Sequence, residues 1–173
     1  MRRLAAALAL VALAHAAPAR ASTTLGRSVE ALAADADAVV RATVVSTSAR
    51  WTGDGRRIVT DVRLSVLETL AGATGAQLVV TVPGGAVGDY AQDVSGGAKF
   101  TAGEQVVVFL RRVTSGERWG VLDLADGKFT VSETTARRQT LGLERRSRVA
   151  PLDDTLDLAT LRERVRRGRE RKK

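Results

Sequence analysis

The sequence predicts a mainly β protein, a small antiparallel barrel of five or six strands with a short helix before it and another after it. Three observations carry this prediction. Between residues 39 and 131, runs rich in Val and Thr recur, the clearest alternating apolar and polar side chains with a period of two. Clusters of Gly, Asp, Ser and Thr separate these runs at close spacing, as in barrels and sandwiches. Helical periodicity is confined to two segments outside them, near 29–35 and 156–167. A chain of 173 residues suits one domain, and 45% hydrophobic with 27% charged residues is a globular composition.

The first segment reads as an export signal. Met1-Arg2-Arg3 is basic, Leu4–Ala14 is an apolar run of 11 residues, and Ala19-Arg20-Ala21 has the small-x-small pattern of a cleavage site. Cleavage is expected after Ala21, leaving residues 22–173 in the periplasm or outside the cell. The run is too short for a bilayer span, which needs about 20 apolar residues. The mature chain then has no Cys, His or Met, because His15 and Met1 leave with the signal. That excludes Ser-His-Asp and Cys-His nucleophiles, Cys/His zinc sites and a histidine pH switch. A carboxylate pair, a Ser-Lys pair, or a lone Tyr or Arg remains for catalysis. No cofactor or metal is expected.

Ser28 is placed to cap a helix from Val29 to Asp35, with Val29, Leu32 and Ala33 on one side. Val39–Ala49 is rich in β-branched residues and reads as a strand. Thr52-Gly53-Asp54-Gly55 is a turn. In Ile58–Leu67 the residues Thr60, Val62, Leu64 and Val66 alternate with Asp61, Arg63 and Ser65, so one face is buried. Leu78, Val80 and Val82 mark a third strand, ended by Pro83-Gly84-Gly85. Residues 84–103 show no period, hold 6 Gly and read as a long loop. Gln105–Arg112 is apolar on both faces and therefore central. Thr114–Glu117 is a turn, and Arg118–Leu124 and Lys128–Val131 are the last strands. Val62, Leu64, Val66, Val80, Val107 and Phe109 are expected in one barrel core.

Residues 132–155 are polar, Arg-rich and read as a linker. The segment 156–173 reads as a basic helix. Asp157 caps it, Leu158, Leu161 and Val165 form a narrow stripe, and Gly168 ends it. Its removal from residue 162 onward is expected to leave the fold intact. Residues 22–136 carry 11 Lys+Arg against 13 Asp+Glu, whereas residues 137–173 carry 13 against 6. Attraction to anionic surfaces is therefore expected in the tail, at Arg162, Arg164, Arg166, Arg167, Arg169 and Arg171. Nucleic acid is not an expected partner, since strands 58–67 and 78–82 offer no aromatic for base stacking.

Four motifs carry a family resemblance. They are Ala34-Asp35-Ala36-Asp37-Ala38-Val39-Val40 running into a strand, Leu70-Ala71-Gly72 after the second strand, Phe100-Thr101-Ala102-Gly103-Glu104 leading into Gln105–Leu110, and Gly127-Lys128-Phe129. Over residues 28–131 the chain resembles the netrin-like family, the OB-type barrel of the tissue inhibitors of metalloproteinases. It is also similar to uncharacterised exported bacterial proteins with the last motif. The resemblance implies an OB-like barrel over residues 22–131. The inhibitors chelate a protease zinc through an amino-terminal Cys, which this chain lacks, so that mechanism does not carry over.

Candidate partner-binding residues are Trp51, Tyr90, Trp119, Asp89, Asp93 and Lys99. The two tryptophans either close the barrel ends or anchor a partner. Asp89, Tyr90, Asp93 and Lys99 share the long loop, where the bland reading is a surface connection and the sharp one an acid/base or ligand site. Ser95–Lys99 has the wrong spacing for a Ser-Lys enzyme, and Asp123–Gly127 lacks the spacing and terminal Glu of a calcium loop. The function expected is an exported, non-enzymatic binding module for an extracytoplasmic protein or an anionic envelope component. The rivals are a hydrolase using loop carboxylates and an envelope-surface protein held by its basic tail.

Overall fold

A computed structural model describes residues 23–113, 118–140, 144–146 and 154–171. The expected signal at 1–21 and the turn at 114–117 lie outside the described residues. The described chain begins with β1 (Thr23–Leu25) and α1 (Val29–Asp35). The Ser28 hydroxyl accepts the Ala31 amide at 3.2 Å, satisfying one of the free donors of the first turn, as its sequence position predicts.

The barrel is built from five strands. β2 (Ala38–Trp51), β3 (Ile58–Ala71) and β4 (Gln77–Pro83) form an antiparallel meander. A separate hairpin follows, β5 (Gly85–Val87) with β6 (Tyr90–Gln92). β7 (Gln105–Arg112) then pairs with β2, and β8 (Trp119–Val121) lies between β7 and β4. The order β2-β3-β4-β8-β7-β2 closes the OB-like barrel that the sequence predicts. Its one parallel seam is β4–β8, at Val80 and Trp119.

The sheet does not stop at residue 131. β9 (Lys128–Ser132) takes the part of the β7 edge that β8 leaves open, and β10 (Thr135–Arg138) pairs with β9. β11 (Glu144–Arg146) pairs in parallel with β1, and β12 (Thr155–Asp157) adds to β10. The Arg-rich composition of the expected linker, 132–155, conceals this. Arg138 is buried, with its guanidinium 4.5 Å from the Phe129 ring centre, and Ala136 is fully buried beside it in the sheet.

The described residues form two cores where the sequence predicts one. The barrel interior holds Val40, Val44, Val62, Leu64, Val80 and Val108. Val107 and Phe109, expected beside them, face the other way, into a layer formed with Val29, Leu32, Phe129 and the second helix. Successive strand residues point to opposite faces, so a β7 that is apolar throughout is buried on both.

That helix is α2 (Leu158–Glu170). The Asp157 side chain accepts the Ala159 amide at 2.8 Å, and Leu158, Leu161 and Val165 are buried, all as the sequence predicts. Gly168 does not end the helix but lies inside it, pressed on α1. A Cβ there would sit 2.4 Å from the Glu30 carbonyl oxygen. Arg169 donates to the Ala33 and Ala36 carbonyls at the end of α1, and Arg162 holds Glu68 through contacts of 2.7–3.2 Å. Residues 162–171 thus hold α1 through more than Val165, so their removal is expected to cost more than the sequence suggests.

Candidate functional site: a cleft at the barrel mouth

β2 outruns the barrel. Its pairing with β7 stops at Thr43, while its pairing with β3 continues to Trp51. Beyond the barrel, the face that continues its interior from Val62 carries Thr47, Ala49 and Trp51 from β2 and Ile58 and Thr60 from β3. Segment 84–100 folds back over this face. Gly84 and Gly85 allow the reversal with φ of 93° and 134°, values that L side chains rarely adopt. Gly85 also has no room for a side chain, since a Cβ would lie 2.5 Å from Thr60 Oγ1 and 2.9 Å from Ala49 Cβ.

Hydrogen bonds fasten the segment to β3, among them that from the Gly84 amide to the Ile58 carbonyl at 2.9 Å. The Thr60 hydroxyl donates to the Gly84 carbonyl at 2.7 Å, and the Ile58 amide donates to Gln92 Oε1 at 2.8 Å. Between hairpin and ribbon lies a cleft of about 500 Å³. Its walls include Ala49, Val62, Val82, Ala86, Ala91 and Phe100, and Thr47, Thr60, Gln92, Asp93 and Lys99 supply polar atoms. Apolar walls with a few polar groups are the usual make-up of a ligand site. The sequence points to this loop through Asp93 and Lys99 but not to the hairpin or the cleft, because the small residues that shape them show no period.

The expected site residues divide into two sets. Trp51 and Tyr90 come together, ring centres 5.6 Å apart at 69°, and both are exposed, at 37% and 66%. Asp93 and Lys99 line the cleft and form an ion pair at 2.9 Å. Trp119, by contrast, is 5% exposed in the barrel core, with the Arg112 guanidinium 4.6 Å from its ring centre. Asp89 sits exposed in the two-residue turn between β5 and β6 and is not part of the cleft lining. The two carboxylates of the hydrolase reading thus do not share the cleft. Among the described residues no group of acidic side chains is arranged to hold a metal ion.

Lys128 and Glu104 shape the site without appearing among the expected residues, although both belong to the segments that carry the family resemblance. The Lys128 ammonium is buried, donates to the Lys99 carbonyl and to Glu104 Oε1 at 2.7 Å, and lies 4.7 Å from the Phe100 ring centre. Burial pushes its pKa down from 10.5, against the opposing pull of Glu104. Glu104 Oε1 also accepts the Thr101 amide, so this pair pins residues 99–104 and with them one wall of the cleft.

The helix arginines are mostly engaged. Arg162 holds Glu68, Arg164 lies 3.6 Å from Glu30, and Arg169 caps α1. Arg166 bonds Glu163 and Glu170, and Arg167 reaches Glu163 at 3.4 Å. Arg171 is exposed at the helix end. No described helix is long and apolar enough to cross a membrane. The chain matches no protein-family model and no curated protein.

Proposed function

We propose that the chain is an exported, non-enzymatic binding module that takes a segment of an extracytoplasmic protein into the barrel-mouth cleft. The observation that carries this is the exposed Trp51–Tyr90 pair beside a cleft with apolar walls. Aromatic side chains of this kind dominate protein interfaces, and a rim of polar groups sets orientation. The resemblance to the netrin-like inhibitors points to the same class of function, protein binding, without their zinc-chelating Cys. Asp93 is held by Lys99 and Asp89 stands apart, so the hydrolase reading gains no support from the site.

The test is retention of a defined protein from envelope extract by the full chain and by Trp51→Ala/Tyr90→Ala. A protein that binds the purified chain directly, and is lost with the double variant, supports the reading. Retention unchanged by the double variant contradicts it.

A further inference from the structure

The barrel body is near neutral, yet its charges are not evenly placed. On the outward face of the β2–β3–β4 ribbon, register sets Ser46 beside Arg63, Ser48 beside Asp61 and Arg50 beside Val59. β4 continues the rows with Val79 beside Arg63 and Thr81 beside Asp61. Arg56 and Arg57 extend the face into the 52–57 turn, and Arg118 reaches in from the start of β8. Arg50 and Arg118 thus sit on Asp61, Arg57 lies near Asp54, and Arg63 adds a further guanidinium to the face.

Asp61 organises the centre. It accepts from Arg50 at 2.7 and 3.2 Å and from the Thr81 hydroxyl at 2.7 Å, with Arg118 at 3.5 Å. One carboxylate therefore fixes two guanidiniums and leaves the group with excess positive charge. Arg63 is exposed and has no side-chain bond among the described residues. Arg57 and Arg63 stand about 20 Å apart along β3, at roughly 3.3 Å per strand residue, with Val59 and the Arg50–Asp61–Arg118 group between them. The hydroxyls of Ser48 and of Thr81, which donates to Asp61, lie between them, and Ser46 and Ser65 lie at the Arg63 end.

We propose that this face binds a linear acidic polysaccharide. The guanidiniums pair with its carboxylate or sulfate groups, and the serine and threonine hydroxyls bond its hydroxyls. The face has no aromatic to stack nucleobases, since Trp51 lies on the opposite side of β2. Val59 and Val79 are half-buried, and the exposed aliphatics nearest the rows, Val45 beside Ser46 and Leu67 beyond Ser65, lie past the Arg63 end and not among the arginines, so the charged stretch itself has no apolar anchor of the kind that protein interfaces and membrane surfaces use. A net-positive strip in which arginines alternate with hydroxyls around one paired carboxylate suits a hydroxyl-rich polyanion.

The test is titration of the full chain with polygalacturonate, dextran sulfate, uncharged dextran and phosphatidylglycerol vesicles. Polygalacturonate or dextran sulfate should bind at low salt and weaken as salt rises. Arg57→Ala/Arg63→Ala should lose about tenfold or more in affinity. Arg166→Ala/Arg167→Ala, on the helix, should stay within about twofold of wild type. Both changes are at exposed positions, and thermal melts confirm that each variant is folded. Three results would overturn the proposal. They are no binding to either acidic polymer, binding that only the helix variant loses, and vesicles binding more tightly than the polymers.

Discussion

Replacing Gly168 by alanine inverts the rule for a helix interior. On an exposed helix this change stabilises by roughly 1 kcal/mol, because glycine is the freer residue in the unfolded chain. At Gly168 the added Cβ meets the Glu30 carbonyl oxygen at 2.4 Å, Ala33 Cβ at 2.8 Å and Glu30 Cα at 2.9 Å. Relaxed contacts lie at about 3.5–4.0 Å, so α1 and α2 must part by roughly 1 Å. Two of the three obstacles are backbone atoms, which no rotamer change can move. Parting the helices also loosens Leu161 and Val165 within the layer they share with Val29, Leu32 and Ala33. Overpacking of this kind costs about 1–3 kcal/mol, and the gain in helix propensity offsets part of it. A net loss of about 1–2 kcal/mol remains, and it lowers Tm by roughly 2–8 °C in a domain of this size. A far-UV circular dichroism melt reads the change directly, with Thr160→Ala on the exposed side of α2 as control. A Tm for Gly168→Ala equal to or above wild type would refute the close packing of the two helices.

Three further outcomes follow from the same structure. Lys128→Met leaves Glu104 without its buried partner and should cost about 3 kcal/mol, the low end for a broken buried pair, because Glu104 keeps the Thr101 amide. Lys128→Met/Glu104→Gln should recover much of that loss in chemical denaturation, and no recovery would place the cost elsewhere. For Asp61, burial alone would raise the carboxyl, but the hydrogen bonds from Arg50 and Thr81 and the charges of Arg50 and Arg118 outweigh it and hold it below its ordinary 3.8. Ionised Asp61 therefore stabilises the fold above that value, and the stabilisation is lost as pH falls through the lower folded pKa. The stability gap between wild type and Asp61→Asn should be level above about pH 5 and shrink in acid, whereas a gap widening in acid would contradict the assignment. Deleting residues 162–173 uncovers Val29, Leu32 and Ala33, so the truncated chain should bind a hydrophobic dye and lose a sharp melt. An unchanged melt would mean that α2 is dispensable.

What the sequence makes legible is local. The alternation of Val62 and Leu64 with Asp61 and Arg63 sets the buried face of β3, and Ser28 and Asp157 mark both helix starts. Each signal needs only neighbouring residues. Non-local geometry is not legible in the same way. An apolar β7 implies burial on both faces, but not that helices rather than a second sheet cover Val107 and Phe109. Trp51 and Trp119 both flank turns, and only the closure of the barrel separates the exposed one from the buried one. Gly168 reads as a helix stop because glycine commonly ends helices; its role here comes from Glu30, which is far away in the chain. The cleft is hidden for the same reason, since its hairpin depends on Gly85 meeting Ala49 and Thr60 across the fold. The tail's positive charge is plain in the composition, whereas its pairing with Glu30, Glu68 and the carbonyls of α1 is not.

The most direct test of the binding role places a photo-crosslinking side chain at Ala86 or Ala91, on the cleft wall, and at Thr160, on the exposed side of α2. Illumination in envelope extract should give one covalent adduct with a single protein from the two cleft positions and none from Thr160. Adducts of equal yield from all three positions, or none from Ala86 and Ala91, would contradict the cleft as the binding site.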